Sequence, residues 1–529
     1  MKKHYILAVA FLAPFCLNAQ NLNPEVQVTN EYETRIGDVS KADLQMRVPD
    51  SLFRFDYHFD YSVFDSPYKG AYEFSPYSVT VTPATRAYDG RRLYLRAGAG
   101  WVMKPELDLV WAALDSKKAA INVFASGNGF WGKYARITPQ TLERDKSVFD
   151  KGWDFGATAG VDSRFSLGKA VLRAELGYNG IFTGHEVFRN DIGHSPYAAI
   201  SLSRRDIHDF SYYLGARYRY VNDWNGRNGV FEDHDVRVDA TLEPYVSGKS
   251  RIGLDAQFAY NSYFYGGSLR PHAIFSLGNW DFDAGLRVGW NNAARFGVSP
   301  DVRLAVHLFR NTFDIYAGAV GRDNLTSYWD YKTQVHQYYI NYSNPYPVRE
   351  IADLYLGFRG HTGFGLRYDL KGGYRFLQDV PFWAVGADGY ETLVRQSCGM
   401  VHANLALAWE TKRFSMDADV HYTLVPKGVE ARVFAPAAVT AQLKAAYNWQ
   451  KRIYAGVSAG MSTERSATVG TNTVTMPWYL DLGLFAEYKF NGKLSAWIKG
   501  TNLLNQEIRL SPVYCQWGPS GVIGVTLSL

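Results

Sequence analysis

The sequence predicts an all-β protein, a transmembrane antiparallel β-barrel of about 22 strands that follows a short N-terminal periplasmic extension. Three observations lead to this prediction. Apolar and polar residues alternate with a period of two, short and long connections take turns along the chain, and an export signal begins it. Such alternation predicts strands with one face toward lipid and the other toward a hydrated lumen.

The composition favours strands and argues against several classes of protein. The chain has 529 residues, of which 47% are hydrophobic and 16% aromatic, and it contains 48 glycines. After the N-terminal stretch there is no apolar run of about 18 residues, so we do not expect helical membrane spans. The net charge of +5 is small for this length and gives no reason to expect a nucleic-acid partner.

The N-terminus has the three parts of an export signal. Lys2 and Lys3 precede an apolar stretch over residues 5–16. The short sequence Leu17-Asn18-Ala19 follows, and it ends in a small residue as a cleavage site does. We therefore expect a signal peptide over residues 1–19 and an exported mature protein.

Two cysteines, Cys398 and Cys515, remain in the mature chain. Export places them outside the reducing cytoplasm, where a disulfide persists. Both fall in predicted outward connections. We expect either a disulfide between them or two separate thiols.

Residues 20–90 differ from the rest of the chain. Within them, residues 53–61 alternate without a break between aromatic and polar side chains, and a Pro- and Tyr-rich extended stretch follows. This segment is a periplasmic docking element, a partial occluder of the lumen, or an ordinary extension packed on the barrel rim. The aromatic candidates for partner docking are Phe53, Tyr57, Tyr61, Tyr68 and Phe74.

Residues 91–529 divide into about 22 alternating segments, most of them about ten residues long, as a tilted membrane strand requires. Short links such as Asn491-Gly492 alternate with long connections, apart from the brief link at Met103-Lys104 and the modest one at 264–268. The long connections are predicted at 128–152, 182–194, 222–233, 322–349, 377–399, 425–436, 463–476 and 504–519. Outer-membrane barrels have short periplasmic turns and longer external loops, so this order predicts that both chain ends lie in the periplasm.

The two faces of the predicted strands differ in character. One face is apolar, as in the row Ile252, Leu254, Ala256, Phe258 and Tyr260, and we assign it to the lipid. The opposite face carries charges of both signs, and its members either contact a solute or form ion pairs that line a wet wall. The candidate lumen residues are Arg217, Arg219, Asp239, Arg287, Arg367, Arg375, Asp417 and Asp419. The mixed signs argue against a strongly ion-selective pore.

The chain carries no recognised motif for catalysis or cofactor binding. It has no paired-cysteine zinc motif, no Walker loop and no H-E-x-x-H helix. Asp417, Asp419 and His421 share one strand face, but any lumen-facing strand offers such a set. We therefore expect no enzymatic activity, no metal and no cofactor.

Residues 494–506, Leu-Ser-Ala-Trp-Ile-Lys-Gly-Thr-Asn-Leu-Leu-Asn-Gln, resemble the penultimate-strand motif of TonB-dependent receptors. The resemblance extends over about residues 91–529, and it implies a 22-stranded barrel in the outer membrane of a Gram-negative bacterium. Composition and the start after Ala19 are similar to barrels of the Bacteroidetes. Residues 20–90 contain no recognisable plug domain or TonB-binding box, which argues against TonB as a partner of this chain alone.

Two functions fit these observations. The first is a receptor that transports or binds a solute through its lumen. The second is a non-transporting barrel that belongs to a larger envelope complex and docks periplasmic partners through residues 20–90. The expected surroundings are outer-membrane lipid, and periplasmic or outer-membrane proteins are the candidate partners.

Overall fold

Twenty-two strands close into one antiparallel ring in the computed structural model, as the sequence predicts. The structure describes residues 92–529 except 139–142, 187–189, 206–208, 226–228, 248–249, 293–294, 310–311, 334–335, 337–347, 386–390, 426–432, 470–471, 510–514 and 517. The predicted signal peptide 1–19, the extension 20–90 and its docking candidates Phe53, Tyr57, Tyr61, Tyr68 and Phe74 lie outside the described residues.

The first eleven barrel strands each pair with the next one along the chain. They are β1 (Leu93–Trp101), β2 (Glu106–Asp115), β3 (Ala119–Ile137), β4 (Arg144–Leu167), β5 (Ala170–His185), β6 (Asp191–Arg204), β7 (Ser211–Asn225), β8 (Gly229–Ser247), β9 (Ser250–Tyr260), β10 (Tyr265–Leu277) and β11 (Trp280–Asn291).

The remaining eleven continue the same up-and-down order. They are β12 (Arg295–Leu308), β13 (Phe313–Asn324), β14 (Val348–His361), β15 (Leu366–Val385), β16 (Glu391–Glu410), β17 (Phe414–Leu424), β18 (Val439–Trp449), β19 (Ile453–Ser462), β20 (Tyr479–Lys489), β21 (Leu494–Thr501) and β22 (Ser520–Ser528). The connections hold a short helix, α1 (Tyr328–Lys332), and the strand pieces Val433–Phe434, Arg465–Val469, Asn472–Met476, Ile508–Arg509 and Cys515–Gln516.

The ring closes where the last strand pairs with the first. The β22–β1 register runs from Tyr94 opposite Ser528 to Trp101 opposite Gly521. The amide of Leu93 donates to the carbonyl of Leu529 at 2.8 Å, so the first and last described residues meet at the same end of the barrel. Closure removes both sheet edges, which would otherwise leave unpaired backbone groups in lipid.

One tryptophan packs against a glycine where the ring closes. We call this junction of β21, β22 and β1 the closing seam. Trp497 on β21 is buried and lies over Gly98 of β1, where an added Cβ would come within 2.5 Å of its ring. The guanidinium of Arg96 lies 4.2 Å from the centre of the same ring. The absence of a side chain at Gly98 therefore makes room for the indole.

The predicted lipid face is exposed on the outside of the ring. Ile252 keeps 54% of its surface exposed and Leu484 keeps 54%, and the neighbours of Ile252 on the other face are charged or small. This surface is the apolar band that an outer-membrane barrel presents to lipid. No helix in the described ranges is both long and apolar enough to cross a membrane.

Short turns and long connections occupy opposite ends of the barrel. At the short-turn end, strands are joined by as few as two residues, as at Gly168-Lys169, where Gly168 has φ of 64°. At the other end, several predicted long connections are wrong in detail because the strands continue through them. Residues 128–137 and 144–152 extend the β3–β4 hairpin, and 377–385 with 391–399 extend the β15–β16 hairpin.

Candidate functional site in the barrel lumen

One long connection folds into the ring. Residues 325–333 and 336 follow β13 and include α1, and we call them the inward segment. They contact side chains of β4, β6, β7 and β8 on the face opposite the exposed apolar rows. Because β9 to β12 lie between β8 and β13 in the ring, the segment reaches these strands across the lumen.

The helix in this segment is short and closed at both ends. The amide of Ser327 donates to the Asp330 carboxylate at 2.9 Å, which satisfies a backbone group at the helix start. At the other end the amide of Thr333 donates to the carbonyl of Trp329 at 2.9 Å. Five residues are too few for a stable isolated helix, so contacts with the barrel wall must hold it.

Lys332 provides the most enclosed of these contacts. Its side chain has no exposed surface, and it forms ion pairs with Asp191 on β6 and, at 3.2 Å, with Asp223 on β7. Burial favours the neutral amine, but Asp223 and Asp191 outweigh it and raise the pKa of Lys332 above its usual value. The lysine therefore stays charged between two strands of the wall.

Asp330 faces the opposite direction on the same helix. Its carboxylate pairs with Arg237 on β8 and lies 3.5 Å from Arg219 on β7. Burial favours the neutral acid, but Arg237 and Arg219 hold the pKa of Asp330 below its usual range. Asp330 and Lys332 on α1 therefore each lie against charges of the opposite sign on β6 to β8.

Aromatic packing completes the contact. Trp329 is 1% exposed, and its ring fills the space beside Gly193 of β6, where a Cβ would come within 3.1 Å. The Tyr328 ring lies 4.3 Å from that of Phe231, and its hydroxyl donates to Asp223. These residues belong to a buried cluster with strands β5 and β7. Beyond the helix, His336 bonds to Asp154 on β4.

The wall formed by β9 to β12 is braced by ion pairs. Arg270 on β10 contacts three carboxylates on neighbouring strands, at 3.0 Å from Asp255, 2.6 Å from Asp283 and 2.9 Å from Asp301. Arg287 also contacts Asp301, at 3.1 Å. Arg303 contacts Asp283 and Asp301 as well, so three arginines face three carboxylates and this wall carries little unbalanced charge.

A second cluster lies over β14 to β16. Asp353 accepts from Lys371 at 3.0 Å and from His402 at 2.6 Å, and Arg375 lies 3.5 Å from Glu350. All but Lys371 are nearly inaccessible to solvent. The arrangement stiffens the wall, since each charge has an opposite charge on an adjacent strand.

The eight candidate lumen residues all lie on the charged face, but the structure distributes them among several surroundings. Arg219 contacts the inward segment, Arg287 and Arg375 belong to the ion-pair clusters, and Arg217 lies 3.9 Å from Asp235. Arg367 lies 3.7 Å from Glu410.

The other three candidates lie on strands whose neighbours place a wall residue directly opposite. Asp239 lies opposite Gly215, Asp417 opposite Lys444 and Asp419 opposite Gln442. Solute contact by any of the eight candidates stays a prediction.

The two cysteines are thiols and do not form a disulfide in this structure. Cys398 lies on β16 opposite Leu377, whereas Cys515 pairs with Arg509 in a connection that reaches β3. Their strands are far apart in the ring, so the alternative of two separate thiols describes the structure. Burial raises the pKa of the Cys515 thiol to about 12.

The Asn-Leu-Leu-Asn sequence at the end of β21 forms a compact turn. Asn502 has φ of 50°, a left-handed conformation that asparagine tolerates. Its side-chain oxygen accepts from the amide of Gln506 at 2.8 Å, and its amide donates to the Gln506 carbonyl at 3.0 Å. The motif that resembles a receptor family therefore has a structural role, the termination of the penultimate strand.

The inward segment was not predicted, because residues 322–349 have the length and position of an outer loop. The available indication was Tyr328-Trp329-Asp330-Tyr331-Lys332, three aromatic residues where an exposed loop would be polar. In the described part of the chain, no group of three or more His, Cys, Asp or Glu side chains could hold a metal ion.

Comparisons with known proteins support the fold. No protein-family model matches the chain, and no curated protein sequence matches it. Among solved structures, the siderophore receptor PirA from Acinetobacter baumannii is 9% identical with a TM-score of 0.62, over 83% of this chain and 80% of that chain. The FrpB iron transporter from Neisseria meningitidis is 10% identical with a TM-score of 0.62, over 83% and 81%.

A variant of the ferric enterobactin receptor PfeA from Pseudomonas aeruginosa is similar to the same degree, 10% identical with a TM-score of 0.61, over 83% of this chain and 80% of that chain. All three are named as receptors or transporters. At such low identity the likeness concerns the fold. The chain thus shares the fold of these receptors and transporters, and in it 22 strands form a closed antiparallel barrel.

Proposed function

We propose that this protein is an outer-membrane receptor that binds a solute and admits it through the barrel lumen. Two features support a solute-binding role, the receptors that share the fold and the polar, charge-balanced wall that faces the lumen. We place the long connections outside the cell and both chain ends in the periplasm, because short turns are periplasmic in such barrels.

The inward segment carries this proposal. A ring of 22 strands encloses more space than its own side chains fill, so an open barrel of this width would leak. Lys332 and Asp330 attach the segment to β6, β7 and β8 through buried or partly buried charges. We propose that this attachment closes the lumen until a solute binds on the outer side and displaces it.

Single-channel conductance in planar bilayers tests the proposal. Removing one partner of a buried ion pair costs about 3 kcal/mol or more, or about 100-fold in the equilibrium between attached and released segment. We expect the wild-type barrel to be mostly closed and Lys332→Met to open far more often. Lys151→Met is the matched control, because it removes a lysine from an exposed position on β4 near the same end.

Two results would contradict this function. A large, steady wild-type conductance that Lys332→Met leaves unchanged would show that the inward segment closes nothing. A barrel that stays silent in every variant and co-purifies with other envelope proteins would support the non-transporting subunit instead.

A further inference from the structure

The turns at the short-turn end of the barrel carry almost only positive charge. Within the part of the chain that the structure describes, the residues between strands at this end include nine basic residues and a single acidic one, Asp209. All nine are exposed to solvent. The nine, which we call the basic rim, are Lys117, Lys118, Lys169, Arg205, Lys412, Arg413, Lys451, Arg452 and Lys493.

The opposite end of the barrel shows no such bias. There charged side chains of the strand ends and connections lie beside opposite charges, as Arg144 does with Glu507 at 3.6 Å and Arg136 with Asp150. The positive charge is therefore a property of one end of the barrel. Nine exposed cations at one rim repel one another and attract an acidic partner.

The chain itself supplies acidic material at this end. The described chain begins at the rim, where the amide of Ala112 donates to the carbonyl of Arg92 at 2.7 Å. Lys117 and Lys118 lie in the next turn, between β2 and β3. The chain that precedes Arg92 is thus joined to the barrel at the end that carries the basic rim.

Residues 50–74 have the complementary charge. They contain five acidic residues and two basic residues, Arg54 and Lys69, among closely spaced aromatic rings. The acidic residues are Asp50, Asp56, Asp60, Asp65 and Glu73. Roughly 18 residues separate this stretch from β1 and reach at most about 60 Å, and a short tether gives an effective concentration on the order of millimolar.

We propose that the basic rim, through Lys117 and Lys118, binds the chain's own acidic and aromatic segment 50–74. Carboxylates would pair with the rim ammonium groups, and the alternating aromatic rings would offer their faces to the same cations. The inference is independent of solute transport, because it concerns the outer surface of the turns and holds whether or not the lumen opens.

Zero-length carbodiimide cross-linking of the full-length protein in a non-ionic detergent tests it, with mass spectrometry of the products. We expect amide bonds between the Lys117 or Lys118 amine and carboxylates of residues 56–65. Because exposed charges are screened at high salt, the yield should fall several-fold at about 1 M salt.

Charge reversal separates this contact from its alternatives. Lys117→Glu with Lys118→Glu removes the reactive amines together with the charge and should abolish these cross-links. Adding Asp56→Lys with Asp60→Lys should restore them, with amine and carboxylate exchanged between the rim and the segment. The control pair Lys133→Glu and Lys151→Glu changes the same charge on β3 and β4 at the other end and should leave the yield unchanged.

Three outcomes would overturn the proposal. They are the absence of cross-links between the rim and segment 50–74, a charge swap that fails to restore them, and their loss in vesicles that contain anionic phospholipid. The last result would assign the rim to lipid headgroups. Cross-links only to a co-purified protein would likewise assign it to another partner.

Discussion

The ammonium of Lys332 lies 3.2 Å from the carboxylate of Asp223, and neither side chain keeps more than 1% of its surface exposed. The lysine belongs to a connection and the aspartate to the barrel wall. Removing both charges from water is costly, so the pair is retained only where good geometry and further hydrogen bonds offset the loss. Tyr328 and Asp191 supply those additional contacts. The pair therefore selects one position of the inward segment.

Trp329→Ala should release the inward segment. The indole is 1% exposed, and truncating a buried tryptophan costs about 3–5 kcal/mol where the site cannot collapse. We expect proteases to cleave within 325–347 in the variant and much more slowly in the wild type. Trp131→Ala, at a tryptophan that is 55% exposed, is the control and should leave the cleavage rate as it is. Equal resistance of both variants would mean that Trp329 does not anchor the segment.

Asp330→Asn should loosen the same segment in a way that depends on pH. Arg237 and Arg219 outweigh burial and hold the pKa of Asp330 below its usual range. A carboxyl group whose pKa is lowered in the folded protein stabilises the fold at pH values above its unfolded-state pKa of about 3.9. This stabilisation is lost as the pH falls through the folded-state pKa. We therefore expect the difference in open probability between wild type and variant to stay constant from about pH 7 to pH 4 and to shrink only below.

A difference that vanishes near neutral pH would contradict this assignment of the Asp330 charge. Asp330→Glu, which keeps the charge on a longer side chain, should behave more like the wild type than Asp330→Asn does at neutral pH.

Gly98→Ala should destabilise the closing seam. An added Cβ would come within 2.5 Å of the Trp497 ring, and overpacking of this kind costs about 1–3 kcal/mol. Gly521→Ala is the control, since its Cβ would meet no atom closer than 3.9 Å. Urea unfolding in detergent should show a lower midpoint for Gly98→Ala alone, and adding Trp497→Leu should recover part of the loss. If both alanine variants unfold alike, Trp497 does not wedge the seam.

Cys515 should resist alkylation in the folded protein. Burial raises the pKa of its thiol to about 12, so little thiolate exists at pH 8. We expect maleimide to label both Cys398 and Cys515 after unfolding without reductant, because the structure holds two thiols. If the unfolded protein takes up maleimide only after reductant is added, Cys398 and Cys515 are joined in a disulfide, contrary to this structure.

The strands were predictable from sequence wherever one face meets lipid and the other meets water. In β9 the apolar row from Ile252 to Tyr260 alternates with polar or small residues, and the strand ends at Tyr260. The extended hairpins were not predictable, because above the membrane the alternation is lost. Phe130 and Trp131 are consecutive aromatics on opposite faces of β3, 5% and 55% exposed.

The candidate site was predictable only in part. The charged face of the strands identified Arg219 as a candidate, but the partner of Arg219 is Asp330, which the sequence placed in an outer loop. That contact joins residues far apart in the chain, and no local periodicity reports it. The match between charges on α1 and charges on β6 to β8 exists only once the ring has closed.

Electron cryo-microscopy of the purified full-length protein in lipid nanodiscs tests the central claim most directly. We expect a ring of 22 strands, with density for residues 328–332 inside it and against β6 and β7. A different number of strands, or density for these residues outside the ring with Asp191 and Asp223 facing an open lumen, would contradict it.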